Sequence, residues 1–249
     1  MDSMANEFHK LSPKSNTSPA SPLADFSNST IDQFDAERSR KLACGLDPLD
    51  AAPKENFTWF NPALHQTPTA RAEAVSLVTA FDEWAHRIPK HPFLTIHGGV
   101  GIGKSELAKT AVWKLTPEWH DRHSYYITAA DFDKRVKDFA SVANQASTVS
   151  VDPDVWVERL AGAEALVLDD VGAGYIDKGW TQSRLERLID LRYRYKLPTA
   201  IISNLSPANL RVELGERAYS RLTDKAIGKV LTLENLSDVR QIERTQEGK

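Results

Sequence analysis

A single cysteine, Cys44, in 249 residues excludes an intramolecular disulfide and leaves no cysteine-rich zinc site to build. A reducing, cytoplasmic setting is the one such a chain suits. No stretch approaches the roughly 20 apolar residues of a membrane span, and the opening MDSMANEFHK has no basic start followed by an apolar run, so neither export nor membrane insertion is expected. Excess charge is missing too. At a net charge of −3, any contact with nucleic acid has to come from a local basic patch and not from the field of the whole molecule. There is no internal repeat. What the chain does have is 41% apolar residues over a length that supports one substantial core with appendages.

Residues 11–30, LSPKSNTSPASPLADFSNST, are dominated by Ser, Pro, Asn and Thr. They offer little to bury against the entropy of ordering, so 1–30 is read as a disordered arm. In TIDQFDAERSRKLACG, Thr30 and Gln33 are spaced as a capping box and Gly45 stands where a helix would stop, which predicts a short helix over 31–44. Its apolar face of Ile31, Phe34 and Leu42 is thin. That suits a tethered partner-docking element spanning 31–55, or equally a helix that frays in solution. The compact domain is placed at 56–249. There Ala74, Leu77, Val78, Phe81, Ala85 and Ile88 recur at helical spacing ahead of Pro89, and Leu107, Ala108, Ala111, Val112 and Leu115 do so again. Between and after these helices lie the apolar runs FLTIH, SYYITA (124–129), ALVLD (165–169) and TAIIS (199–203). Strands that alternate with helices imply an α/β fold with a parallel sheet covered on both faces.

GGVGIGKS fits the phosphate-binding pattern G-x-x-x-x-G-K-[ST], and it stands where that pattern must, after a strand and opening a helix. The backbone of Gly98, Gly99, Val100, Gly101, Ile102, Gly103, Lys104 and Ser105 has to wrap around phosphates, so the four glycines are expected to supply close approach and positive φ. Lys104 reaches the β- and γ-phosphates in this reading, and the Ser105 hydroxyl binds Mg²⁺. ALVLDDVG then delivers Asp169 to the C-terminal end of a strand, where it can hold the ion through water. Asp170 falls where a base or water-orienting group is wanted, with one methylene less reach than a glutamate. TAIISNLS ends a further strand at Asn204, whose amide can bond an attacking water or a γ-phosphate oxygen, although asparagine is also a turn residue.

The order GGVGIGKS, VLDDVG, IISN, LGERAYSRL resembles the AAA+ ATPases, and within them the DnaC-type replicative helicase loaders and the related IstB transposition ATPases, over roughly residues 56–240. The resemblance implies a five-stranded parallel sheet, ATP with Mg²⁺ bound at a subunit interface of an ATP-dependent homo-oligomer, and Asn204 as the sensor-1 residue. It also gives a reason for Arg217 and Arg221, which fall on one helix face with no acidic residue spaced to neutralise both. In that family such a segment projects into the neighbouring subunit's nucleotide. By position Arg221 is then the arginine finger and Arg217 a supporting contact; local pairing with Glu213 or Glu216 is the alternative. Only about 45 residues follow Asn204, too few for a C-terminal helical lid, and Arg240 is the residue left to stand in for a lid arginine.

The implied partners are a replicative DNA helicase, captured through the N-terminal region, and single-stranded DNA. The alternative is a transposase recruited to double-stranded DNA. A small-molecule kinase is disfavoured, since nothing resembles an arginine-bearing lid or an acceptor-binding insert. For DNA contact, DFDKRVKDF offers Lys134, Arg135 and Lys137, but its Phe132, Val136 and Phe139 have the spacing of core residues. LRYRYKLP interleaves Arg192, Arg194 and Lys196 with Tyr193 and Tyr195, a composition that single-strand binders share with ordinary helix C-termini. Trp59 and Phe60 lie where an adenine ring is often enclosed, and His97 reads as a packed strand-end residue.

Overall fold

In a computed structural model of the chain, residues 28–86, 89–116, 124–143, 152–172 and 179–239 are described. The arm expected over 1–30 lies almost wholly outside them, as do Ile88, Arg240 and the side chains of Thr30, Ile31, Gln33 and Phe34. The first helix, α1, covers Asn28–Ala43, and its residues up to Asp35 belong to a separate N-terminal unit. The main unit begins at Ala36, ahead of the start near Asn56 that the sequence pattern favours. The reason is physical. Cys44 and Leu46 are 0% and 6% exposed in the core, and Arg40 stacks 3.6 Å over the Trp113 ring while donating to Trp113 O and Thr116 O. Leu42, expected on the apolar face, is instead exposed. The left-handed Gly45 ends the helix, with Leu46 N–H bonded back to Lys41 O.

Five strands, β1 (Phe93–Gly98), β2 (Tyr125–Thr128), β3 (Leu166–Val171), β4 (Thr199–Ser203) and β5 (Gly228–Leu233), form one sheet in the order β2-β3-β4-β1-β5. Every pairing is parallel. Side chains alternate between two cores. Leu94, Ile96, Val167, Ala200 and Ile202 face one core together with α2 (Pro68–Trp84) and α3 (Lys104–Leu115). Phe93, Leu166, Leu168 and Ile201 face the other, which is covered by α4 (Ala129–Ala143), α5 (Pro153–Ala161), α6 (Trp180–Arg194), α7 (Pro207–Leu214) and α8 (Glu216–Leu222). Three of these helices start the same way. Thr67, Asp152 and Ser206 each cap the backbone N–H groups of the first turn, and each is followed by proline, whose fixed φ suits that turn.

The two stretches weighed for DNA contact fold inward in part. Phe132 and Val136 are fully buried, and Phe139 packs on Trp156 at 5.8 Å. Lys134 and Arg135 stay on the surface. In α6, Arg192 is wholly buried and donates to Thr199 Oγ1 and to the carbonyls of Ala161, Ala163 and Pro198, so it serves packing and not a ligand.

Candidate nucleotide-binding site

β1 runs between β4 and β5 and ends at Gly98, so the glycine loop leaves the middle of the sheet and closes onto the first turn of α3. Positive φ is confined to Gly101 and Gly103, at 79° and 91°. A Cβ on Gly103 would come 2.8 Å from the Phe60 ring, and one on Gly101 would meet the Asp238 carboxylate at 2.2 Å. Gly98 is needed for space, since its Cβ would lie 2.8 Å from Ile102 Cδ1, whereas Gly99 has neither positive φ nor a close neighbour. Of the four loop glycines able to take positive φ, two do so. Ile102 is a core residue and Val100 stands exposed at the rim. Val239 N–H bonds Gly101 O at 3.0 Å, so the chain after β5 returns to pin the loop.

Lys104 is 6% exposed, and its ammonium donates to Gly98 O at 2.9 Å, Gly99 O at 2.5 Å and Asn204 Oδ1 at 2.8 Å. Burial pulls its pKa below the ordinary lysine value, and the charges of Asp169 and Asp170 pull it back up. Asn204 in turn donates from Nδ2 to Asp170 Oδ1 at 3.1 Å. One amide therefore links the lysine of the phosphate loop to the second aspartate of β3. The β3–β4 register slips between Leu168 and Val171, and Asp170 sits in this irregularity at φ 57°, its side chain exposed while Asp169 is buried. The bulge re-aims two consecutive carboxylates that an unbroken strand would send to opposite faces.

Asp169 is 2% exposed, and both of its oxygens are engaged. Oδ1 accepts from Asp170 N at 2.7 Å and Oδ2 from the Tyr126 hydroxyl at 2.5 Å. Burial and the neighbouring carboxylate push the Tyr126 pKa far up, so the phenol stays a donor. Tyr126 was not a sequence candidate. The available signal was that a tyrosine in an otherwise buried strand needs a partner for its hydroxyl.

Lys104, Ser105, Tyr126, Asp169, Asp170 and Asn204 all line one cavity of about 690 Å³, which Trp59 also borders. That size accommodates a nucleotide. His97 lies just outside, 1% exposed, with Nδ1 3.1 Å from Leu205 O. The donor set suits Mg²⁺: a hydroxyl and a carboxylate are hard oxygen ligands, and that ion takes few protein ligands and completes its shell with water and phosphate. Among the described residues no cluster of three or more His, Cys, Asp or Glu side chains could form an all-protein metal cage.

Arg217 and Arg221 lie elsewhere. They border a separate cleft of about 280 Å³ between α6 and α8 that shares no residue with the nucleotide cavity. Arg221 is not unpaired, contrary to the sequence reading. It forms an ion pair with Asp190 of α6, which also holds Arg194, and lies 5.7 Å from the Tyr193 ring centre. The local partners considered for it are used otherwise or not at all: Glu216 pairs with Arg211, and Glu213 Oε1 is buried without a hydrogen bond. Spacing along the chain could not reveal Asp190, because it comes from another helix. Arg217 is exposed, with no hydrogen bond or ion pair among the described residues.

No established family profile matches the chain. A curated relative, the replicative helicase loader DnaC of Buchnera aphidicola subsp. Baizongia pistaciae (strain Bp), is 26% identical over 147 residues, which make up 59% of this chain and 56% of the relative. The crystal structure of the DnaC helicase loader superposes with a TM-score of 0.53 at 18% identity, covering 72% of this chain and 96% of that one. The chain shares the fold of that structure, and its sequence match spans about half the length of the curated relative. The replication initiator DnaA, in its structure with AMPPCP and single-stranded DNA, shares the fold with this chain at a TM-score of 0.53 and 18% identity, covering 76% of this chain and 56% of that one. Among the described residues, no helical lid follows β5. No described helix is long and apolar enough to cross a membrane.

Proposed function

We propose that this protein is an ATP-dependent helicase loader: a cytoplasmic AAA+ ATPase that assembles with copies of itself on binding ATP and delivers a replicative helicase to single-stranded DNA. The observation that carries this reading is the convergence of Lys104, Asp169, Asp170 and Asn204 on one cavity at the C-terminal ends of β1, β3 and β4, in a chain related to DnaC. The N–H groups of the loop from Gly98 to Ser105, at the start of α3, receive phosphate oxygens in this reading. Lys104 exchanges its carbonyl partners for the β- and γ-phosphates, and Ser105 and Asp169 hold Mg²⁺, which neutralises phosphate charge and orients the transferable group. Asp170 accepts the proton of the attacking water. Asn204, already bonded to both Lys104 and Asp170, reports the γ-phosphate to each.

Arg217 and Arg221 are assigned to the nucleotide of the adjacent subunit, in keeping with their separation from the cavity of their own chain. Asp190 braces Arg221, and Arg217 is the guanidinium free to reach outward. Mixing tests this. Arg221→Ala or Arg217→Ala subunits, each inactive alone, should regain partial ATP turnover when mixed with Lys104→Ala subunits, since one orientation joins an intact loop to an intact arginine. No recovery at any ratio, with both variants folded and co-assembled, refutes the trans assignment. Capture separates the two DNA roles: a loader retains a hexameric helicase and single-stranded DNA, and retention of a transposase on duplex DNA would overturn the loader reading.

A further inference from the structure

β2 forms one edge of the described sheet, and its register with β3 sets Tyr126 opposite Val167 and Thr128 opposite Asp169. Tyr126 is 7% exposed, and its hydroxyl reaches diagonally to Asp169 Oδ2 at 2.5 Å. Its backbone is held from the outer side as well. Tyr126 N–H donates to Cys44 O at 2.8 Å, and the turn at Gly45 lies so close that a Cβ there would stand 2.3 Å from Tyr126 O. The strand is therefore clamped between β3 and the end of α1, and the phenol has a fixed aim. At the other carboxylate oxygen, Oδ1, the Asp170 N–H donates. With one donor on each oxygen, the carboxylate plane cannot rotate freely, yet each oxygen keeps a lone pair for an ion or its water.

We propose that Tyr126 is a positioning residue for magnesium, its hydroxyl holding the Asp169 carboxylate in the orientation that takes up the hydrated ion accompanying the nucleotide. The inference rests on the reading of this cavity as an ATP–Mg²⁺ site. Groups that orient a metal-binding side chain set affinity through preorganisation, and removing one such bond costs metal affinity without touching the ion. Replacing the phenol leaves a buried carboxylate oxygen short of a donor and free to turn.

The test uses the full chain and a fluorescent ATP analogue. Nucleotide affinity in EDTA and the Mg²⁺ concentration for half-maximal tightening of binding are measured for wild type and Tyr126→Phe. Mn²⁺ paramagnetic resonance gives a second readout of the ion itself. Tyr126→Phe keeps the ring in the core, and its affinity in EDTA should match wild type; the Mg²⁺ half-saturation should rise about tenfold. Asp169→Asn should raise it as well, and adding Tyr126→Phe to that variant should change nothing more, because the phenol acts through the carboxylate. An unchanged or lower half-saturation in Tyr126→Phe, or a further loss in the double variant, overturns the proposal. If affinity falls equally with and without Mg²⁺, Tyr126 is only a packing residue. Wild type that binds nucleotide with no Mg²⁺ dependence removes the site reading and the proposal together.

Discussion

Asp170 is held at φ 57° with its side chain exposed, and among the described residues that side chain accepts one hydrogen bond, from Asn204 Nδ2 to Oδ1. Aspartate and asparagine enter the left-handed region at little cost, whereas other non-glycine residues lose about 1–2 kcal/mol there. Three substitutions separate backbone from chemistry. Asp170→Glu lengthens the reach toward the cavity but forfeits the local compatibility, so it should destabilise the chain by about 1 kcal/mol. Asp170→Ala should lose a similar amount, because the side chain removed is exposed and its packing contributes little. Asp170→Asn keeps both the conformation and an acceptor for Asn204, so its stability should match wild type. It also removes a charge that helps hold Lys104 protonated, and ATP turnover should fall by about 10²–10⁴, the usual worth of a positioned base. Urea unfolding followed by the fluorescence of the six tryptophans measures the first effect, and steady-state turnover under assembling conditions the second. Glutamate and alanine variants as stable as wild type would refute the backbone argument. An asparagine variant with undiminished turnover would remove Asp170 from the chemistry.

Lys104→Ala should leave the melting temperature near wild type, because the lysine contacts loop carbonyls and one amide, yet raise the nucleotide Kd by at least about tenfold, as the loss of a charge-assisted phosphate contact implies; calorimetric titration decides it. Removing residues 1–35 should abolish helicase capture while the core melts as before. Removing 1–50 should also cost stability on the order of 5 kcal/mol, since Leu46 burial and the Arg40 hydrogen bonds go with it; scanning calorimetry of the two truncations tells them apart. His65 and His97 are each 1% exposed, and burial holds both pKa values below the ordinary value of about 6.5. Below that pH the unfolded chain takes up protons that the folded one refuses, so stability should be full above pH 6.5 and fall on acidification. His65→Leu should flatten part of that slope in urea unfolding at pH 5 and 7.5.

Four of the five strands and the two helices flanking the phosphate loop were legible because their apolar residues follow the periods of fully buried elements. β5 was not. GKVLTL lies at an edge with Val230 exposed, so the burial that makes an apolar run conspicuous is incomplete. Lys104, Ser105, Asp169 and Asp170, now found around one cavity, were legible from glycine spacing and strand-end aspartates, which reflect local backbone demands. Partners supplied from a distance were not. Tyr126 on Asp169, Asp190 on Arg221 and Arg40 on the end of α3 each join elements far apart in the chain, and no local spacing encodes them. The three proline-led helix starts were present in the sequence as T-P, D-P and S-P pairs and show how much a cap with proline discloses.

β1, the strand that launches the phosphate loop, hydrogen-bonds only to β4 and β5, whose residues come more than a hundred positions later. A nascent chain therefore carries this loop through roughly the next hundred residues of synthesis with neither flank in place. Val239, which pins Gly101, is later still. Contacts so distant in sequence slow folding, because loop closure precedes any gain from pairing. They also impose a quality check in time: no fragment that ends before β5 can complete the strand order around the loop.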